Sequence, residues 1–399
     1  MPAHIEAGSY RDVLRLPSAL RIFAPALAGR LAYGLLPLAT LFTVHQTTGS
    51  FAAAGLALAL FGLTSITLPL KSRLADRRPA RLAWMALACA VSLAVAAFVP
   101  WPVPFVALAG LAAPPLGPAM RSAWRRLTEG TALKERAYAL DAIAEETLYL
   151  VGPVLAGALI AIAPARWALL LTAVLLLAGT VGTVRRAQPA VGLPKARVFD
   201  PGPLRSARLW GVLAVLAAAG AGISVAYTAM AVTAQQAGHP GAAGLLEAGV
   251  AAGSVAGGLL WARRKHRRSR SHHFAGLLAI FAAGLLTAAA APGLLALGVV
   301  MALAGVAVSP LYVVAYLAAD DLTPPEHRTE AGTWINVAAN AGNALGAASA
   351  GVLTDRHGPS PAFLAAGILL TATALLCGVG VRLEPARLFR SWRARGHDD

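Results

Sequence analysis

Residues 141–157 read DAIAEETLYLVGPVLAG. Three carboxylates, Asp141, Glu145 and Glu146, precede a Gly152-Pro153 kink inside an apolar run long enough to cross a bilayer. A charge at the bilayer centre costs at least ~2.5 kcal/mol on insertion scales, so three of them require a cause. A soluble amphipathic helix would be the plainest one, and the rest of the chain removes it. Of 399 residues, 57% are hydrophobic and 13% charged, and the mean hydropathy is +0.64. Soluble domains carry about 25% charged residues, so this is a membrane composition.

The net charge of +16 would suit a nucleic-acid binder. Here, however, the basic residues lie in short clusters between apolar runs, with no basic domain and no nucleic-acid motif. No nucleic-acid partner is expected. Cys89 and Cys377 stand alone in separate apolar runs, without disulfide or metal spacing, so neither a metal nor a cofactor is expected. The opening MPAHIEAGSYRDVLRLPSALRIF lacks a cleavable signal pattern, and the first span is expected to stay in the mature chain. The 30 Arg against four Lys on an Ala-rich background suggest GC-rich bacterial genes, hence a bacterial plasma membrane.

At about 20 apolar residues per crossing, the chain divides into twelve spans, near 19–41, 50–70, 80–99, 103–124, 137–162, 165–184, 207–232, 241–262, 274–291, 293–319, 330–354 and 361–383. With the N-terminus inside, 31 of the 34 Lys and Arg fall on the cytoplasmic side, leaving Arg166 and Arg356 outside and Arg30 within the first span. That asymmetry follows the positive-inside rule and places both termini in the cytoplasm.

The sequence also repeats. GSFAAAGLALA (49–59) is echoed by GHPGAAGLLEA (238–248), and GPVLAGAL (152–159) by GAASAGVL (346–353). Two six-span halves in one orientation follow, residues 1–184 and 207–399, joined by a polar cytoplasmic loop 185–206. Parallel repeats of this kind mark transporters whose halves rock about a midplane site.

The loop SRLADRRPAR (72–81) resembles the G-x-L-a-D-R-x-G-R-[RK] signature of the major facilitator superfamily. Leu74, Ala75, Asp76, Arg77 and Arg81 fit, while Ser72, Pro79 and Ala80 depart. The resemblance implies an all-α membrane protein of twelve transmembrane helices in two parallel six-helix repeats. It also implies that Asp76, with Arg77 and Arg81, holds a cytoplasmic gate. In the second half, GGLLWARRK (257–265) keeps the shape but has Trp261 where an Asp would stand. Gly152-Pro153-Val154-Leu155-Ala156-Gly157 is similar to the G-P-x-x-G-G motif of the family's proton-coupled exporters, with Ala156 for one Gly. Gly152, Pro153 and Gly157 are thereby gating candidates, small residues letting helices approach closely.

On a 3.6-residue helix Asp141, Glu145, Leu148 and Gly152 share one face; Glu146, Tyr149 and Pro153 share another about 100° round. At the repeat offset, Glu146 corresponds to Asn340, Tyr149 to Asn343 and Ala142 to Asn336, an amide stripe on the eleventh span. Such a stripe faces either a cavity or a neighbouring helix that it binds by hydrogen bonds. Arg30 is the one basic residue in mid-span, at a depth matching Glu146, so an Arg30–Glu146 pair is expected; satisfying carbonyls near Pro25 or Pro37 is the other reading. Asp141, in the first turn, suits the helix dipole or a pairing with Arg121 or Arg136. Glu145 reads as one partner of a buried ion pair. Glu247 breaks the repeat, as a second protonation site, an outer gate or a snorkelling carboxylate. Tyr33, Tyr227, Tyr312 and Tyr316 are the expected cavity aromatics, with Tyr149 beside the coupling carboxylate.

These residues predict a secondary transporter working by alternating access. It exports small amphipathic molecules against protons, with Glu146, Arg30, Glu145 and Glu247 as coupling groups. Proton-coupled import shares every residue. A transport-dead receptor would draw on the altered second-half loop, and a serine hydrolase at Ser349 would lack a base within the bilayer. No G-x-x-x-x-G-K-[ST] loop occurs, so ATP hydrolysis is not expected, and the chain reads as a transporter rather than an enzyme. The partners are then lipid, a small-molecule substrate and protons, with the chain a monomer.

Overall fold

A computed structural model describes residues 9–77, 80–185, 203–263, 269–324 and 328–394, all helix or short connection with no strand among them. In chain order the helices of the first part are α1 (Tyr10–Arg15), α2 (Ala19–Thr48), α3 (Phe51–Leu63), α4 (Leu68–Arg77), α5 (Ala80–Ala96), α6 (Pro102–Ala112), α7 (Leu116–Leu127), α8 (Lys134–Ile162) and α9 (Arg166–Val184). Then follow α10 (Ala207–Gln236), α11 (Ala242–Ala262), α12 (Arg270–Ala288), α13 (Leu294–Gly305), α14 (Val308–Leu322), α15 (Arg328–His357) and α16 (Pro359–Ala394). A 3₁₀ segment, Thr64–Thr67, joins α3 to α4.

Among the described residues, nine stretches are long and apolar enough to cross a membrane, α6–α7 and α13–α14 each counting as one. Two shorter apolar helices, Phe51–Thr67 and Ala80–Ala96, and the 30-residue, less apolar α15 occupy the remaining expected spans. Helices dominate because each N–H and C=O in hydrocarbon must find its partner within the segment. Local signals set their ends: Ser50 and Ser269 cap α3 and α12, accepting from Ala53 N and His272 N, and Gly49 and Gly358 follow α2 and α15 with φ of 71° and 81°.

The chain forms two compact units, Met1–Ala196 with Ala234–Ala248, and Arg197–Thr233 with Gly249–Asp399. Residues 234–248, which the sequence division leaves with the second half, therefore pack with the first.

In the first unit α2 and α8 touch backbone to backbone. A Cβ on Gly152 would lie 2.5 Å from the carbonyl carbon of Gly34, and one on Gly34 would lie 2.7 Å from the Leu148 oxygen. Lipid is as apolar as Leu, so packing of this closeness rather than water exclusion holds such helices. We expect Gly152→Val to lower the thermal transition of the purified protein, overpacking costing about 1–3 kcal/mol. An unchanged melt would mean that the contact is slack. Beyond it, Gly157 packs on Gly244, whose Cα would be 3.0 Å from its Cβ. In the second unit Gly346, the repeat counterpart of Gly152, is set likewise: its Cβ would lie 2.8 Å from the Ala221 Cα of α10.

At one end of the first unit Val13, Ile22, Phe23, Met120, Trp124 and Ala137 form a buried core. Trp124 is fully buried, edge-on to Phe23 with ring centroids 5.1 Å apart.

Candidate functional site

The Gly34–Gly152 contact turns the Asp141–Glu145 face of α8 onto α2. Arg30, four residues before Gly34, meets that face. Its Nη1 donates to Asp141 Oδ1 at 2.6 Å, and its Nη2 lies 2.8 Å from Glu145 Oε2. The second contact is an ion pair whose angle falls outside hydrogen-bond geometry. Trp124 Nε1 donates to the same Asp141 oxygen at 3.4 Å. Farther out, Arg121 Nη2 approaches Glu145 Oε2 at 3.8 Å.

The cluster grades from interior to surface. The Arg30 and Asp141 side chains are 5% and 4% exposed, Glu145 30% and Arg121 57%. A buried charge is tolerated only when paired and hydrogen-bonded. Arg30 and Asp141 satisfy that condition, and Trp124 fills one more acceptor site.

Two expectations change here. Arg30 does not pair with Glu146, because that carboxylate points about 100° away from the α2-facing side; Glu146 is exposed and, among the described residues, makes no ion pair. Asp141, read as a dipole partner or a mate of Arg121 or Arg136, is instead the most deeply held carboxylate of the cluster. Arg136 lies over the Tyr10 ring at 5.8 Å.

The other candidates are spread over both units. Tyr33 is half-buried and its hydroxyl donates to Pro114 O at 2.7 Å, so its polar tip is spent within the first unit. Tyr149 is exposed on the Glu146 side of α8. Gly152, Pro153 and Gly157 are buried in helix contacts. Glu247 on α11 is 6% exposed and makes no ion pair among the described residues. In the second unit, Tyr316 OH donates to Asn336 Oδ1 at 3.1 Å, tying α14 to α15, and Asn336 Nδ2 donates to Gly332 O at 3.2 Å. Asn343 packs by Gly220 with its Oδ1 buried, Asn340 is half-buried, and Tyr227 and Tyr312 are half-buried.

The side chains of Asp76 and Arg77 lie outside the described residues. Arg81 Nη1 reaches Leu74 O at 3.5 Å. Trp261, at the place of the missing acid, packs edge-on to His273 with centroids 5.1 Å apart. Nearby, Arg270 Nε donates to Asp321 Oδ2 at 3.1 Å.

Sequence reasoning overlooked Trp124 and Lys71. Lys71 directly follows the second expected span, yet it is 6% exposed, its Nζ donating to Gly110 O at 3.0 Å. Its position directly after the apolar run ending LPL was the available signal.

The sequence matches the profile of the Major Facilitator Superfamily over residues 22–347 and, again, 209–396. The chain belongs to the Major Facilitator Superfamily. The solved structure of the nucleoside transporter NupG superposes with a TM-score of 0.73 at 14% identity, covering 90% of this chain and 98% of that one. A bacterial homologue of the human lysosomal transporter Spinster, inward-facing and occupied, gives 0.68 at 16%, covering 94% and 98%. The POT family transporter PepTSo gives 0.68 at 11%, covering 91% and 97%. At these identities the likeness is one of fold. A search of curated proteins returned no match.

Within this facilitator fold, the cluster has two carboxylates against one buried guanidinium, with a second guanidinium only at the exposed edge. Glu145 is the part-exposed member of this group, so its contact with Arg30 can change while the buried Arg30–Asp141 pair stays intact. Neutralising Glu145 would free one side of Arg30 without exposing an unpaired buried charge.

Proposed function

We propose that this facilitator is a secondary transporter exporting small amphipathic molecules in exchange for protons. The observation that carries the reading is the uneven cluster on α2 and α8: Arg30 is shared between a buried Asp141 and a part-exposed Glu145. A carboxylate bound to a guanidinium stays ionised, and one that loses that partner while desolvated takes a proton. Glu145 stands where a change of access alters both terms. It, rather than Glu146, is therefore the first coupling candidate. Glu146 and Glu247 are further ones, the latter buried without a counter-ion among the described residues.

The mainly aliphatic spans, punctuated by Tyr and Asn, suit a weakly hydrated solute better than a sugar. Export is favoured over import by the Gly152-Pro153-x-x-x-Gly157 pattern. Asp76, Arg77 and Arg81 keep the role of cytoplasmic gate. The chain is taken as a monomer in a bacterial plasma membrane with both termini inside.

Reconstitution into liposomes with an imposed pH gradient tests this. Export predicts that neutral or charged aromatic dyes move against the direction of the proton flow. Movement with the protons would establish import instead, and no gradient-driven movement would remove proton coupling.

A further inference from the structure

Lys71 is a buried cation without a counter-ion among the described residues. It rises from α4, and its named surroundings come from two other helices: Gly110 of α6, and the fully buried Cys89 of α5 in electrostatic reach. Of the three N–H donors of an ammonium, Gly110 O takes one at 3.0 Å. Among the described residues no carboxylate lies within 4 Å of it. A lone charge held like this costs free energy unless something compensates it.

The chain beside it is broken. Between Ala112 and Leu116 the backbone leaves the helix at Ala113-Pro114-Pro115, which separates α6 from α7. At the break two carbonyls accept a side chain beside a backbone N–H: Gly110 O takes Lys71 Nζ as well as Ala113 N, and Pro114 O takes the Tyr33 hydroxyl at 2.7 Å as well as Leu116 N. The break also starts a 12-residue helix whose first residue follows Pro115, with no side chain capping it. The start of a helix carries partial positive charge. The ammonium and the start of α7 thus flank the same interruption, and among the described residues the ammonium has no carboxylate partner.

We propose that Lys71 at the α6–α7 break receives an anionic group of the transported solute, a carboxylate in particular. This rests on the transport reading above and narrows it to amphipathic organic acids. A carboxylate offers two oxygens to the two N–H groups that Gly110 leaves unused. It is also small enough for a site whose lysine is almost entirely covered, whereas a lipid headgroup would need an opening to the membrane surface.

Three probes with one ring and three charges test it: benzoate, benzyl alcohol and benzylamine, titrated calorimetrically into the full chain in zwitterionic nanodiscs. Benzoate is expected to bind measurably tighter than the other two. Lys71→Met should weaken benzoate about 10-fold or more, the scale of a lost charge-assisted hydrogen bond, and Lys71→Arg should retain it. Equal binding of benzoate and benzyl alcohol to the wild type overturns the proposal, and so does undiminished benzoate binding by Lys71→Met. Should Lys71→Met not fold, the wild-type comparison decides alone. Because binding is read at equilibrium without a pH gradient, a failure of proton coupling would leave this result untouched.

Discussion

Glu145→Gln should abolish accumulation of solute against its gradient while leaving exchange down the gradient in place. Glu145 is held between Arg30 at 2.8 Å and Arg121 at 3.8 Å, and it is the member of the cluster that reaches from the buried pair toward the surface. Gln copies its shape and is neutral at every pH, so the cluster is fixed in the state that protonation would produce. Binding that needs only the neutral state survives; a cycle that must load and release a proton does not. The control is Glu146→Gln, one residue on and about 100° round the helix. If that variant stops accumulation and Glu145→Gln does not, coupling resides on the Tyr149 face, where the repeat had pointed.

Arg30→Met should destabilise the protein by about 3–5 kcal/mol, the range for leaving one buried charge of a pair unpartnered. The orphan would be Asp141, whose side chain is 4% exposed and whose remaining donor is the longer Trp124 contact of 3.4 Å. Adding Asp141→Asn removes the orphaned charge, and part of the loss should return. Residues in one ion network deviate from additivity by about 0.5–3 kcal/mol. Denaturation of the four proteins in one detergent measures that coupling. Strictly additive losses would show that the two groups do not sense each other in the folded protein.

The spans were legible because the bilayer imposes length and apolarity on every crossing. Even the turn at Ala291-Pro292-Gly293 separates α12 from α13, close to where composition divides the ninth and tenth spans. Sequence registers which residues share a helix face, and Asp141, Glu145 and Gly152 were rightly grouped. It does not register which face a neighbour covers. That choice was made by Gly34 and Gly152, whose missing side chains let α2 and α8 meet along the Gly152 face. Matching depth and the repeat both pointed to Glu146 for Arg30, yet neither carries rotational information. Lys71 escaped for a related reason: its burial depends on a break in a different helix, and a basic residue at the end of a span ordinarily reads as an interfacial anchor.

The most direct measurement follows the lumenal pH of liposomes holding the wild-type protein and an internal pH-sensitive dye. A solute gradient is applied with no pH gradient present. Exchange for protons predicts that solute leaving the lumen drives it acid, and that Glu145→Gln, moving the same solute, leaves the lumenal pH unchanged. Solute flux through the wild type without any pH change would contradict proton coupling, and an equal pH change in the variant would remove it from the Arg30 cluster.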